Sequence, residues 1–465
     1  MARVEINGAA YEAAPGERLS DLLIRTGNAI PMPCGGRGNC GKCRVTVNGQ
    51  TALACETVTE AGMRVTLPRR ETVVSVTGDA GTEKQTAHSA LALDIGTTTL
   101  ALALVSLDEG SIVRVVTGTN PQRAFGADVM NRIGYCKAHG PDRLRDAVIA
   151  AVNSLLQELD APADAVMFVA GNTAMLHLFF GADPSPMGAA PYTPVFLDVK
   201  KASGADLGLP GVKEAVSLPG AAAFVGADLT AGLNFVGFPP EGKHRLLIDL
   251  GTNAEVVLFS RASALCTAAA AGPCFEGANI SCGMSASPGA IAACSPEGCV
   301  TIDNLPAVGV CGTGLVDAVA MLLENGSIDE TGYMEEAYAL APDVYLTPAD
   351  VRQYQLAKSA IRAAAETLVR RARISFDDID ALYISGGFSA KINVRNAVKT
   401  GLLPAALENK CIAVNNSSLL GTAKFACERN DLYQYLAHMR CLDLSSDPVF
   451  SELFIENMTF EEAFL

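Results

Sequence analysis

The chain has 465 residues, 49% hydrophobic and 18% charged, which is more than one core usually carries, so two or three folded domains are expected. A formal charge of −15 with no Lys/Arg-rich run argues against nucleic-acid binding, and no apolar stretch reaches the roughly 20 residues that span a bilayer. With no signal-peptide core at the N-terminus, a cytoplasmic protein is expected, and its 14 cysteines fit metal ligation or buried thiols better than disulfides.

Residues 1–72 read as a small β-rich module, with short alternating runs at 4–6, 45–47 and 64–67 separated by Gly and Asn turns. Residues 73–90 turn small and polar and read as a linker. From there apolar strands alternate with Ala-rich helical stretches, the α/β pattern, in two successive stretches, 91–242 and 243–465. Charge changes with the texture: residues 1–72 hold nine Lys/Arg against seven Asp/Glu, net +2, and the remainder holds 26 against 43, net −17. One helix is well specified, because Thr347, Pro348 and Asp350 supply a capping side chain, a first-turn proline and an acid at N3 before a long run that ends in Arg370 and Arg371. It reads as a packing helix.

An internal repeat divides the larger part. Leu91-Ala-Leu-Asp94-Ile-Gly96-Thr97-Thr98 matches Leu246-Leu-Ile-Asp249-Leu-Gly251-Thr252-Asn253 at an offset of 155 residues. Each copy reads as a buried strand, an Asp-x-Gly-Thr turn and a second apolar strand. Two such halves facing one another make a cleft.

The most specific pattern is Cys34, Cys40, Cys43 and Cys55, spaced C-x5-C-x2-C-x11-C with Gly35, Gly36, Gly38 and Gly41 between the first three. A [2Fe-2S] cluster needs four converging thiolates and nearby backbone N–H donors, which a Gly-rich loop supplies by wrapping tightly. Zinc is the competing occupant, since C-x2-C with further cysteines also makes a tetrahedral site. Three ligands within ten residues of a Gly-rich loop favour iron and sulfur, and with them one-electron transfer.

An Asp-x-Gly-Thr turn offers successive backbone N–H groups and hydroxyls to phosphate oxygens, while its Asp holds Mg2+ directly or through water. A single copy reads as an ordinary hairpin; two copies in successive halves point to phosphate binding. No GxxxxGK[ST] occurs and no GxGxxG follows a strand, so neither a P-loop nor a dinucleotide-binding fold is supported.

These stretches carry two resemblances. Residues 1–72 resemble ferredoxin-type modules of the β-grasp fold. The turns Asp94–Thr98 and Asp249–Asn253 resemble the phosphate loops of the superfamily of acetate and sugar kinases, heat-shock chaperone ATPases and actin. Ser385-Gly386-Gly387-Phe388-Ser389 resembles its adenosine loop, and Ala170–Thr173 and Gly312-Thr313-Gly314 to Asp317 resemble its connecting segments. The implied fold is an α+β ferredoxin-like β-grasp domain followed by an α/β actin-like ATPase with two duplicated subdomains. Its implied nucleotide ligands are Gly96, Thr97, Thr98, Gly251, Thr252, Asn253, Gly312, Gly314, Ser385, Gly386 and Gly387, with Asp94, Asp249 and Asp228 as the catalytic acids.

The combination resembles the reductive activators of corrinoid proteins. Further stretches add to the likeness: Asn120-Pro-Gln with Phe125 to Arg132, Phe224 to Asp228, Gly272 to Glu276 with Ile280 to Gly283, and Gln355 to Arg362. One departure is the linker, too short for the extra middle domain that some members carry. The resemblance implies ATP-dependent reduction of a Co(II) corrinoid protein to Co(I) in a methyltransferase system of an anaerobe. It also implies a [2Fe-2S] cluster, ATP and Mg2+, a low-potential electron donor such as ferredoxin or flavodoxin, and a homodimer. The competing functions are a small-metabolite kinase with a redox-sensing iron-sulfur domain and a non-catalytic, ATP-gated redox adaptor.

Other residues carry weaker signals. Asp228 fits either a water-orienting acid or a helix cap, and Glu255 and Glu276 are further acids near the same motifs. Arg132, Lys358 and Arg362 fit contacts to nucleotide or a partner, but surface ion pairing is the preferred reading of each. Cys274 with Cys282 and Cys294 with Cys299 could form a metal site, but without tight C-x2-C spacing they read as buried or idle thiols. The tail after Cys441 reads as packing on its own domain.

Overall fold

A computed structural model describes residues 2–26, 28, 30, 43–67, 88–126, 128–251, 253–387 and 389–460. Cys34, Cys40, Thr252 and all of the expected linker before residue 88 lie outside the described residues. The chain forms two compact units, Met1–Pro219 and Gly220–Leu465.

The first unit begins with a five-stranded sheet built from β1 (Ala2–Ile6), β2 (Ala9–Ala13), β3 (Arg44–Val47), β4 (Gln50–Leu53) and β5 (Arg64–Thr66), in the order β2-β1-β5-β3-β4. Pairing is antiparallel except between β1 and β5. Both hairpins turn on Asn-Gly, Asn7-Gly8 and Asn48-Gly49, with all four residues at positive φ, the backbone that matches strand twist in a two-residue turn. Alternation places Val4, Ile6, Val45 and Val65 in the interior with Leu19, Leu22 and Leu23 of helix α1 (Leu19–Arg25). This is the expected ferredoxin-like module.

A second sheet in the same unit has the order β10-β11-β9-β6-β7-β8. Its strands are β6 (Ser89–Ile95), β7 (Thr99–Ser106), β8 (Ser111–Thr119), β9 (Ala165–Gly171), β10 (Lys201–Ser203) and β11 (Val212–Ser217). The helices are α2 (Val129–His139), α3 (Asp142–Leu159), α4 (Thr173–Phe179) and the single turn α5 (Gly204–Leu207). Helix α3 buries Leu144, Val148, Val152, Leu155 and Leu159, one helical face, against β7 and β8.

The second unit repeats this plan after α6 (Ala227–Val236). Strands β12 (His244–Leu250), β13 (Ala254–Phe259) and β14 (Ala264–Ala269) form an antiparallel meander. An inserted small sheet of β15 (Ala290–Ser295), β16 (Gly298–Thr301) and β17 (Gly309–Val310) leads into α7 (Gly312–Glu324) and the hairpin β18 (Tyr338–Ala341) and β19 (Val344–Leu346). Then follow α8 (Pro348–Ala372), β20 (Ile379–Ser385), α9 (Val394–Lys399), β21 (Cys411–Ala413), α10 (Ser417–Glu428), α11 (Tyr433–Leu436), β22 (Met439–Cys441) and α12 (Pro448–Glu456). The main sheet runs β21-β20-β12-β13-β14-β22. In both units the repeat hairpin pairs antiparallel with the next strand and parallel with a later one, β9 for β6 and β20 for β12. The central runs of both first strands, residues 91–93 and 246–248, are apolar and buried because neighbours cover both faces.

Helix α8 starts as its sequence predicts: Thr347 Oγ1 accepts from the Asp350 amide at 3.2 Å, and Asp350 Oδ2 accepts from the Thr347 amide at 2.8 Å. The C-terminal tail packs on its own unit, with α12 against α8 and Phe460 buried. No helix among the described residues is long and apolar enough to cross a membrane.

Two expectations are corrected. Arg132, Lys358 and Arg362 are not surface residues but buried ones, since backbone carbonyls accept from their charged heads. Lys358 Nζ donates to the Thr459 carbonyl and lies 4.7 Å from the centre of the Phe460 ring, while Arg362 donates to the Leu403 carbonyl at 2.9 Å and to Glu366 at 2.6 Å. Cys294 and Cys299 are not idle thiols: they face each other across β15 and β16 and form a disulfide.

Candidate functional site

The β3–β4 hairpin decides the placement of two cluster cysteines. Cys43 precedes β3 and Cys55 follows β4, and the Ala54 amide donates to the Cys43 carbonyl at 2.9 Å, so the two residues end side by side. Their Sγ atoms are 3.2 Å apart without being bonded, and both side chains are buried. Two unbonded, buried thiols this close fit ligation of one iron of a [2Fe-2S] cluster. The Arg18 guanidinium donates to the Cys55 carbonyl at 3.2 Å, fixing the hairpin end from outside.

In the first unit Asp94 is buried near the end of β6, opposite Ala101 in the hairpin and beside Ala170 on β9. Gly96, Thr97 and Thr98 form the half-buried turn. A turn that binds phosphate must keep its carbonyl oxygens away from the anion, and here three successive carbonyls are held by donors. The Asn120 Nδ2 donates to the Gly96 carbonyl at 2.8 Å, the Arg132 guanidinium to the Thr97 carbonyl, and the Asn120 amide to the Thr98 carbonyl at 2.8 Å. Arg132 also donates to the Gly126 carbonyl at 3.1 Å and approaches Met175 Sδ at 3.1 Å. Next to the turn, Asn172 caps α4 by accepting from the Ala174 amide at 3.1 Å. Gly171 is required there, because a Cβ would lie 2.8 Å from the Ile95 carbonyl oxygen.

The second unit builds the equivalent arrangement. Asp249 near the end of β12 lies opposite Glu255 on β13 and beside Ser385 on β20. Gly251 and Asn253 close the turn through a 2.9 Å bond from the Gly251 amide to the Asn253 carbonyl. Gly386, at φ 118°, passes so near the first strand that a Cβ would stand 2.0 Å from the Leu250 carbonyl oxygen, whereas Gly387 meets nothing within 4 Å. Ser385 Oγ accepts from the Ser417 amide at 3.0 Å, and Ser389 donates to the carbonyls of Gly386 at 2.8 Å and Val414 at 2.6 Å. Strand register thus brings the second Asp turn and the Gly-Gly loop together.

Three carboxylates feel one another electrostatically in this unit. Burial, then the charges of Asp228 and Asp249, push the Glu255 carboxyl well above the usual carboxylate range. Asp228 sits in the first turn of α6, where its Oδ1 accepts from the Leu229 amide at 2.9 Å, so it combines a helix-end bond with a place among the acids. Among the described residues no three acidic side chains stand close enough to hold a metal ion by themselves, whereas Mg2+ needs only one or two carboxylates beside water and phosphate oxygens.

Gly312 and Gly314 open α7. At Gly314 a Cβ would lie 2.1 Å from the Ile291 carbonyl oxygen, which presses the helix N-terminus onto β15. Asp317, one turn on, accepts from Asn396 Nδ2 at 2.7 Å, and burial raises its carboxyl above the ordinary value. Asn120 and Arg132 are the contributors that motif reading missed as holders of the turn. Glu255 was legible in principle, since six residues around a tight hairpin put it opposite Asp249.

Comparison with known proteins adds three family matches: residues 1–70 to the 2Fe-2S iron-sulfur cluster binding domain, 89–240 to the RACo middle region, and 243–464 to the C-terminal domain of RACo, the ASKHA domain. The chain is 30% identical to the corrinoid activation enzyme RamQ of Eubacterium limosum, over 81% of this chain and 71% of that protein. It is 27% identical to the [Co(II) methylated amine-specific corrinoid protein] reductase of Methanosarcina barkeri, over 74% and 70%. Among solved structures, a reductive activator for corrinoid, iron-sulfur protein superposes with a TM-score of 0.73 at 25% identity, covering 99% of this chain and 98% of that one.

Proposed function

This chain belongs to the family of corrinoid-protein activation enzymes, and from that premise we propose that it couples ATP to the one-electron reduction of a protein-bound corrinoid from Co(II) to Co(I). The observation that carries this reading is the joining, in one chain, of a two-thiol ferredoxin-like module to a duplicated Asp-turn fold. Cys34, Cys40, Cys43 and Cys55 hold a [2Fe-2S] cluster, which supplies one-electron transfer.

The need for ATP is energetic. When the donor potential lies above the acceptor's, transfer runs uphill by about 2.3 kcal/mol per 0.1 V for one electron. Asp94 to Thr98 and Asp249 to Asn253 bind the phosphates with Mg2+, and Ser385 to Gly387 take the adenosine side. Asp228 is the acid that orients the attacking water. ATP binding shifts the population toward a state with higher affinity for the corrinoid partner. In this assignment residues 1–72 carry the cluster, 73–90 link, and 91–242 and 243–465 are the two ATPase halves. The electron donor is a low-potential ferredoxin or flavodoxin, the working form is a homodimer, and the compartment is the cytoplasm.

Anaerobic mixing of the full-length protein with a low-potential reductant and a Co(II) corrinoid protein tests the reading through Co(I) absorbance. A signal that needs both ATP and the four cysteines is expected. Phosphorylation of a small metabolite with no Co(I) signal would overturn it.

A further inference from the structure

Cys266 and Cys441 are register partners on the parallel strands β14 and β22, and their Sγ atoms lie 2.6 Å apart. That is about 0.5 Å beyond a disulfide bond of about 2.05 Å. Strands about 4.8 Å apart also fall within the Cα separation that a disulfide bridges. The apposition is fixed by the backbone on both sides. The Ala264 amide donates to the His438 carbonyl at 3.3 Å, the Leu442 amide to the Cys266 carbonyl at 2.8 Å, and Thr267 Oγ1 to the Leu442 carbonyl at 2.9 Å.

The two sulfurs differ in access. Cys266 is fully buried, and Cys441 is exposed on the edge strand of the sheet. The bond between the two thiols and then burial raise the pKa of Cys266, and the same bond lowers that of Cys441, so a thiolate forms on the side that solvent reaches. An exposed attacking thiol backed by a buried resolving thiol is the arrangement that thiol–disulfide exchange requires.

We propose that Cys266 and Cys441 are a redox-active dithiol site whose substrate is a low-molecular-weight disulfide. Cys441 attacks one sulfur of the substrate, forms a mixed disulfide and releases one thiol. Cys266 then gives up its proton and attacks the Cys441 sulfur, releasing the second thiol. Two protein thiols and one small disulfide become one protein disulfide and two small thiols, so electrons and protons balance. The product bond spans 175 residues and ties the C-terminal segment from β22 through α12 to the main sheet.

The test uses the full-length protein, reduced anaerobically, freed of reductant and equilibrated in graded mixtures of reduced and oxidised glutathione. Acid quenching, alkylation, digestion and mass spectrometry then read each cysteine. A Cys266–Cys441 linked peptide growing with oxidised glutathione is expected. Cys266→Ser should leave glutathione trapped on Cys441, and Cys441→Ser should leave Cys266 without glutathione. The wild-type protein suffices if a variant fails to fold. Persistent free thiols at both positions, or a glutathione adduct on Cys441 that Cys266 never resolves, overturns the proposal.

Discussion

The guanidinium of Arg132, with no exposure to solvent, donates to the backbone carbonyl of Thr97 in the middle of the first Asp turn. A charge buried this completely persists because backbone carbonyls and Met175 take up its fork of donors. Arg132→Lys keeps the charge and loses the fork. ATP affinity should fall about tenfold, or about 1.4 kcal/mol, in a protein that still folds. Arg132→Ala, which strands the buried Gly126 carbonyl and the half-buried Thr97 carbonyl, should lose on the order of 3 kcal/mol of stability. Titration calorimetry and thermal melts measure the two effects, and unchanged ATP affinity in folded Arg132→Lys would sink this role.

Adjacent glycines separate packing from ligand approach. At Gly386 an added methyl meets the Leu250 carbonyl oxygen at 2.0 Å, and φ is 118°, so Gly386→Ala must displace β20 from β12. Gly387 faces open space, so Gly387→Ala leaves the melting temperature within a degree or two, because surface changes free of such features stay within about 0.5 kcal/mol. Any loss of ATP affinity in Gly387→Ala then reports contact with nucleotide. If Gly386→Ala melts like the wild type, the close approach to Leu250 is wrong.

The parts of this fold that were legible in the sequence are those encoded locally. Asn7-Gly8 and Asn48-Gly49 announce hairpins, Thr347 and Asp350 announce a helix start, and the repeat around Asp94 and Asp249 announces two similar halves. Arg132, Lys358 and Arg362 were misread because their partners are carbonyls of Thr97, Thr459 and Leu403. A main-chain oxygen leaves no mark in a sequence, and the one ion pair that is legible, Arg362 with Glu366 four residues on, reads the same on a surface as in an interior. Cys294 and Cys299 were misread for a related reason: a spacing of five says nothing until β15 and β16 pair in a register that sets them opposite.

Cluster ligation and nucleotide binding should separate by mutation. Cys55 lies 3.2 Å from Cys43 at the end of a hairpin that belongs to a sheet of its own. Cys55→Ser should therefore abolish the visible absorbance of the iron-sulfur centre and ATP-dependent Co(I) formation. ATP affinity should stay within about twofold, a change of about 0.4 kcal/mol. Absorbance spectra, the Co(I) assay and equilibrium nucleotide binding read the three outcomes, and retained Co(I) formation would exclude the electron route through the cluster.

His177 makes stability depend on acidity. It is fully buried, its Nδ1 donates to the Thr173 carbonyl at 2.7 Å, and its Nε2 accepts from the Val195 amide at 2.8 Å. Both nitrogens are satisfied only in the neutral ring, since a proton on Nε2 would oppose the Val195 N–H, and burial lowers the pKa below its usual value. The unfolded chain, with an imidazole pKa of about 6.5, therefore takes up the proton first as pH falls. The contribution is complete above about pH 6.5 and is lost below it, by at most about 1.4 kcal/mol per pH unit, until the native ring protonates. His244, whose pKa is also lowered by burial, adds a dependence of the same sign. The His177 share is thus the difference between wild type and His177→Asn. Urea unfolding at pH 7.5 and 5.5 should show a smaller loss of stability in the variant, even though its stability at pH 7.5 is lower. Equal losses in the two proteins would mean that His177 keeps its ordinary titration in the folded state.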